Sequence, residues 1–274
     1  MNYQSELEEF YAQTDAEDAY ERRWGYGNSI AAEYWHMRDE LVFDAIRRRL
    51  GEDLGSIRVL EVGTGYGHEL AKLQRLGVPR QNLMGIDLLP ARLKRAQRSY
   101  PGIKFHVADA VALPFGDNSF DLVMQFTCVM HALTQQVQHA MCAEMIRVLR
   151  SRGILLWWDL APFKWRTLCL RRLLFVANGS TTSRQCMSYG WQTCRELLSS
   201  SIRRRSLQTA LAKALLVDIR DLARLFPNLE LEASRAGVDF EIWNSIWRLS
   251  PRLARLLWRS AFFSGHCFAI AVKQ

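Results

Sequence analysis

The chain has 274 residues, 49% of them hydrophobic, and a formal net charge of +8. It is long enough to bury a full core as one large domain or one domain with a cap. No apolar run of about eighteen residues occurs, which argues against a membrane-spanning helix, and six cysteines without a Cys-x-x-Cys pair argue against a zinc site or a disulfide framework.

The first residues, Met1-Asn2-Tyr3-Gln4-Ser5-Glu6, lack the basic and apolar regions of a signal peptide, so a cytoplasmic protein is expected. Residues 1–21 carry seven acids and no base. The segment 1–50 reads as a helical lid, broken near Gly25–Ser29, with Ser29 as N-cap of a helix through Ile46. Strands are then expected near 57–62, 83–87, 103–107, 120–126 and 154–159, with helices near 67–76, 90–99 and 135–149. This alternation predicts a parallel sheet covered on both faces across residues 51–160, with ligands bound outside the carboxyl ends of the strands. Residues 161–216 carry ten bases against Glu196 alone and read as a basic helical cap. Residues 217–274 complete the sheet, with a helix over Val217–Phe226, a strand over Leu229–Ser234, a second helical insertion at about 236–262, and His266–Val272 as a final antiparallel edge strand.

The densest chemistry lies in Val59-Leu60-Glu61-Val62-Gly63-Thr64-Gly65-Tyr66-Gly67, where an apolar strand enters a glycine-rich turn carrying a carboxylate. Such a turn lets the backbone approach a ligand closely and presents the free N–H groups of the next helix. A dinucleotide fingerprint would place its third glycine at position 68, which is histidine. Asp87 ends the next apolar run twenty residues past Gly67, Asp109 ends the third, and Gln125 and Phe126 end the fourth.

The Glu-x-Gly-x-Gly-x-Gly pattern resembles motif I of the class I S-adenosylmethionine-dependent methyltransferases, small-molecule type, and the later segments follow in that family's order. The resemblance covers residues 55–160 best. It implies an α/β fold: a Rossmann-like, mostly parallel seven-stranded sheet with an antiparallel edge strand, helices on both faces, and helical lid and cap insertions. It further implies that Glu61, Gly63, Thr64, Gly65 and Gly67 shape the cofactor loop. Asp87 with Leu88 would hold the ribose, Asp109 with Ala110 the adenine, and Gln125 with Phe126 would border the methionine part of S-adenosylmethionine. The product would be S-adenosylhomocysteine.

For catalysis, His131 lies where several small-molecule methyltransferases place a histidine facing the acceptor. It is the first base candidate, and His36 is the second. Gln125 and a lone Asp159 do not supply the paired carboxylates of metal-dependent relatives, so no metal is expected. Arg248, Arg252, Arg255 and Arg259 would form one stripe on a helix opened by Pro251. That stripe reads as a solvated face, as a binding site for an acidic acceptor through Arg252 and Arg255, or as a peripheral contact with anionic lipid, and Tyr34 is a further candidate for contact with the acceptor. The expected reaction is methylation, chiefly on oxygen, of a small or lipid-like and acidic or phosphorylated acceptor. A nucleic-acid methyltransferase using the basic insertion, and a catalytically silent binding subunit, stand as alternatives; no RNA-binding module accompanies the bases. Oligomeric state is not read from the sequence.

Overall fold

The computed structural model describes residues 28–132, 134–160, 219–238, 240–258 and 264–274. The expected break near Gly25, the basic cap at 161–216 and Arg259 lie outside these residues.

Helix α1 spans Ser29–Leu50. Its cap is Asn28, one residue earlier than expected: the side-chain oxygen accepts from the N–H groups of Ile30 and Ala31 at 3.0 and 3.3 Å. The helix continues four residues past Ile46 and stops at Gly51, whose φ of 87° suits glycine. Ala31, Tyr34, Val42 and Ala45 form the stripe that docks α1 on the sheet, and Arg38 sits in the middle of it.

Strands β1 (Val59–Val62), β2 (Leu83–Asp87), β3 (Lys104–Val107), β4 (Phe120–Phe126) and β5 (Leu149–Leu160) alternate with α2 (His68–Lys72), α3 (Pro90–Ser99) and α4 (Gln135–Val148). Helix α5 (Ile219–Leu225), β6 (Leu229–Val238), α6 (Phe240–Leu249), α7 (Pro251–Leu257) and β7 (Ser264–Lys273) complete the fold. The strand order is β3-β2-β1-β4-β5-β7-β6. The chain steps from β1 to β2 on one side, while β4 pairs with β1 on the other. This reversal opens a crevice at the carboxyl ends of β1 and β4.

Alternate residues feed two cores. Leu122, Met124, Ile154, Leu156 and Trp158 face α1, whereas Val123, Leu155 and Trp157 face α4 and α5.

Strand β7 is antiparallel to both neighbours and lies one place inside the rim, between β5 and β6. The burial pattern explains this placement. Residues 265–271 are buried throughout, as an interior strand requires. Strand β6 alternates Leu229-Glu230-Leu231-Glu232, and its exposed glutamates pair with Arg49 at 3.1 and 3.0 Å, which blunts the open edge.

The arginine stripe is not continuous. The chain breaks at Ser250, whose hydroxyl accepts from Leu253 N–H at 3.3 Å, and Pro251 opens α7. Arg248 therefore belongs to α6, while Arg252 and Arg255 belong to α7.

The buried guanidinium of Arg38 is answered by charge and by aromatic faces. It pairs with Asp39 at 2.8 Å and with Glu69 on α2, and it lies 4.6 Å from the Trp35 ring centroid, 5.2 Å from Phe126 and 6.0 Å from Trp158. Lys72 joins Asp39 and Glu69 at 3.1 and 2.8 Å, so two cations meet two anions. Burial opposes the charge of Glu69, yet Arg38 and Lys72 hold its carboxyl down at about 2. Arg38→Met should leave buried carboxylates short of a cation and cost about 3–5 kcal/mol in urea unfolding. The double variant Arg38→Met/Glu69→Leu should lose less than that single variant does.

Candidate functional site

The crevice begins at the β1–α2 turn. Glu61, 2% exposed, accepts on one carboxyl oxygen from the Thr64 hydroxyl at 2.6 Å and from Leu70 N–H at 3.1 Å, so one side chain ties the strand end, the turn and the first turn of α2. Gly63, Gly65 and Gly67 have φ of 73°, 54° and 76°. A side chain at Gly63 would overlap Cys128 Sγ, and one at Gly67 would strike Phe105, whereas nothing lies within 4 Å of the place a Cβ would take at Gly65. The turn is thus packed from behind and open at Gly65.

Asp87 closes the side of this opening. One carboxylate oxygen accepts from Gly65 N–H at 2.8 Å and the other from Leu89 N–H at 2.9 Å. Its neighbour Leu88 is half-buried. Asp109 is exposed at the end of β3 and accepts from Val111 N–H at 3.1 Å, with Ala110 half-buried beside it.

The wall beyond β4 is held by two side chains at neighbouring strand ends. Gln125, fully buried, accepts from the N–H groups of Cys128 and Val129 at 2.9 and 3.4 Å. Asp159 of β5 accepts from Met130 N–H at 3.1 Å. Three successive amides, 128 to 130, are therefore taken up just before His131. Burial raises the Asp159 carboxyl to about 7. His131 is half-buried, and burial, with the charge of Arg92, lowers its ring to about 4.

Other expected residues lie elsewhere. His36 is exposed and pairs with Glu40 at 3.3 Å on the outer side of α1. Tyr34 is fully buried in an aromatic cluster with Trp35, Trp243 and Trp258, and its hydroxyl meets His266 Nδ1 at 3.1 Å. His266, stacked on Trp158 at 4.9 Å, is lowered to about 3 by burial and by Arg38. Arg252 is exposed, and Arg255 pairs with Glu33 at 2.6 Å. Phe126, half-buried, meets the guanidinium of Arg38. Sequence reasoning missed Arg38 and the loop-holding role of Asp159. The signals available were a cation inside the apolar stripe of α1 and a carboxylate closing the apolar run Leu155-Leu156-Trp157-Trp158.

A model of the methyltransferase domain matches residues 59–153, the stretch that builds this crevice. Residues 59–153 form a class I methyltransferase domain. The phthiotriol/phenolphthiotriol dimycocerosates methyltransferase 1 of Mycobacterium ulcerans is 39% identical to the chain over 115 residues, 40% of each protein. The demethylmenaquinone methyltransferase of Chlorobaculum parvum is 38% identical over 66 residues, 24% of this chain and 27% of that one. The chain thus spans less than half the length of these curated relatives. The PH0226 protein of Pyrococcus horikoshii shares the fold of the methyltransferase domain and its surroundings, with a TM-score of 0.53 at 14% identity over 93% of this chain and 98% of that one.

The residues of the methyltransferase domain fit a nucleoside cofactor. The opening at Gly65 admits a ligand to the backbone, and the Asp87 carboxylate beside it has lone pairs left to accept from a pair of hydroxyls.

Burial raises Glu61 to about 8 from its ordinary 4.5, against the opposing hydrogen bond from Thr64. The folded chain thus keeps a proton that the unfolded chain releases. The resulting stability is full below 4.5 and is lost as pH rises through about 8. Asp159 acts in the same sense up to about 7, whereas the lowered rings of His131 and His266 remove stability only as pH falls below their ordinary 6.5. The cofactor-free protein should therefore lose thermal stability from about pH 6.5 to 8, and Glu61→Gln should flatten that slope in melting experiments.

Proposed function

We propose that the chain transfers a methyl group from S-adenosylmethionine to a small or lipid-like acceptor, on oxygen in preference to carbon or nitrogen. The observation that carries this reading is the opening at Gly65 bounded by Asp87, at the point where the sheet reverses direction. When bound, the cofactor supplies an electrophilic methyl group on a sulfonium. The chain's own residues then have three tasks. Asp87 accepts hydrogen bonds from the ribose hydroxyls, and Asp109 borders the adenine. Gln125 and Phe126 form the wall beside the methionine part, and the tied segment 128–130 sets His131 at its rim. Holding the acceptor lone pair in line with the S–CH3 bond supplies much of the rate. His131 is neutral at pH 7, because burial and Arg92 depress its ring, so it would have a lone pair to accept a hydrogen bond from the acceptor's hydroxyl and orient it, while the same depression makes it a weak base.

The relatives support a lipid-like acceptor. One is named for phthiotriol and phenolphthiotriol dimycocerosates and the other for demethylmenaquinone, a lipid and a quinone class of substrate.

Calorimetric titration should show S-adenosylhomocysteine binding in the micromolar range and none of NAD, with Asp87→Ala removing the binding. Binding of NAD instead would overturn the reading. With an acceptor in hand, His131→Ala should lower kcat by about a hundredfold or more at unchanged cofactor affinity. Equal kcat in that variant would leave positioning as the whole of catalysis.

A further inference from the structure

Among the described residues four large apolar side chains are exposed: Val107, Leu249, Leu253 and Leu256, at 54, 79, 46 and 77%. Three of these lie at the end of α6 and along α7, on either side of the break at Ser250 that marks the α6–α7 corner. The corner is firmly seated from below. Ile242, Trp243 and Ile246 of α6, Ala254 of α7 and the following Trp258 are buried, Trp243 donates to the Ile30 carbonyl at 3.2 Å, and Trp258 stacks on Trp158 at 6.5 Å. The leucines therefore point outward because the opposite face is docked. A solvated helix would carry polar residues at these positions.

Charge decides what covers them. Leu256 follows Arg252 by four residues on one face of α7, Leu253 is its chain neighbour, and Arg248 precedes Leu249. Arg248 and Arg252 are exposed and make no ion pair among the described residues, whereas Arg255 is engaged by Glu33 and lies 5.1 Å from the Trp247 ring centroid. No acidic residue occurs from Ile242 to Gln274. Apolar side chains beside two guanidinium groups that make no ion pair among the described residues suit the boundary between acyl chains and phosphate headgroups, where the leucines enter the apolar layer and the arginines meet the anions.

We propose that the α6–α7 corner docks the protein reversibly on an anionic lipid bilayer, with Leu249, Leu253 and Leu256 inserted and Arg248 and Arg252 at the phosphates. This goes beyond the methyl-transfer reading, since docking requires neither cofactor nor acceptor. Three leucines form a small patch, so the binding is weak and salt-sensitive.

The test is co-sedimentation of the full chain, without cofactor, with vesicles of phosphatidylglycerol and phosphatidylcholine or of phosphatidylcholine alone. Wild type should bind the anionic vesicles at least tenfold more tightly. An arginine at an anionic surface contributes about fivefold, so Arg248→Gln/Arg252→Gln should lose about twenty-fivefold. Leu249→Ser/Leu253→Ser/Leu256→Ser should lose at least tenfold. Both variants should bind S-adenosylhomocysteine as wild type does, which reads the cofactor site separately from docking. Absence of wild-type binding, or equal binding by both variants, would overturn the proposal. So would a concentration-dependent self-association that the leucine variant abolishes while vesicles stay unbound, which would assign the corner to a second copy.

Discussion

The architecture turns on one buried carboxyl. Where β1 ends, the chain must reverse into α2 within a few residues, and the left-handed glycines that make the reversal possible supply no side chains to hold it. Glu61 does that holding from inside the core, through Thr64 on the turn and Leu70 on the helix. Burial keeps it protonated near neutrality, so the turn is braced by a nearly neutral group beside the opening at Gly65. Asp87 completes the frame through Gly65, which couples the ends of β1 and β2.

A second set of ties attaches the surroundings to this frame. Arg38 enters the apolar stripe of α1 and meets Glu69 on α2, the residue beside the amide that Glu61 holds. Helix α1 is thereby registered by charge as well as by burial. Opposite it, Gln125 and Asp159 take up the backbone amides after β4, so the residues near His131 are positioned from two adjacent strands. In both arrangements buried side chains are fixed by several partners at once, Arg38 by two carboxylates and Gln125 by two backbone amides.

What was legible in the chain follows the range of the interactions. The apolar runs at 59–62, 83–87 and 120–126 and the spacing from Gly67 to Asp87 are local, and they indicated both the parallel core and the strand ends where the crevice opens. The position of β7 inside the rim depends on which strand can tolerate burial on both faces, a comparison between distant segments. The divided arginine stripe depends on Ser250 stopping one helix to cap the next, where helical periodicity alone runs straight through. Tyr34, grouped by sequence with acceptor contacts, is a core residue because β7 delivers His266 to its hydroxyl. Arg38 and Asp159 escaped because Glu69 and Met130, the groups they tie to α1 and β5, lie on other elements.

The contact between Gly63 and Cys128 makes two distant positions a single steric unit. Burial raises the Cys128 thiol well above its usual range, so it remains protonated and is a poor nucleophile at neutral pH. Its size matters more than its reactivity. Any larger residue there would press on the glycine turn from behind, where a Cβ at position 63 would already lie 2.7 Å from the Cys128 Cβ. The coupling is one-sided: position 63 stays glycine whatever stands at 128, because its φ of 73° strains any side chain, while position 128 is limited in size by the turn it presses on.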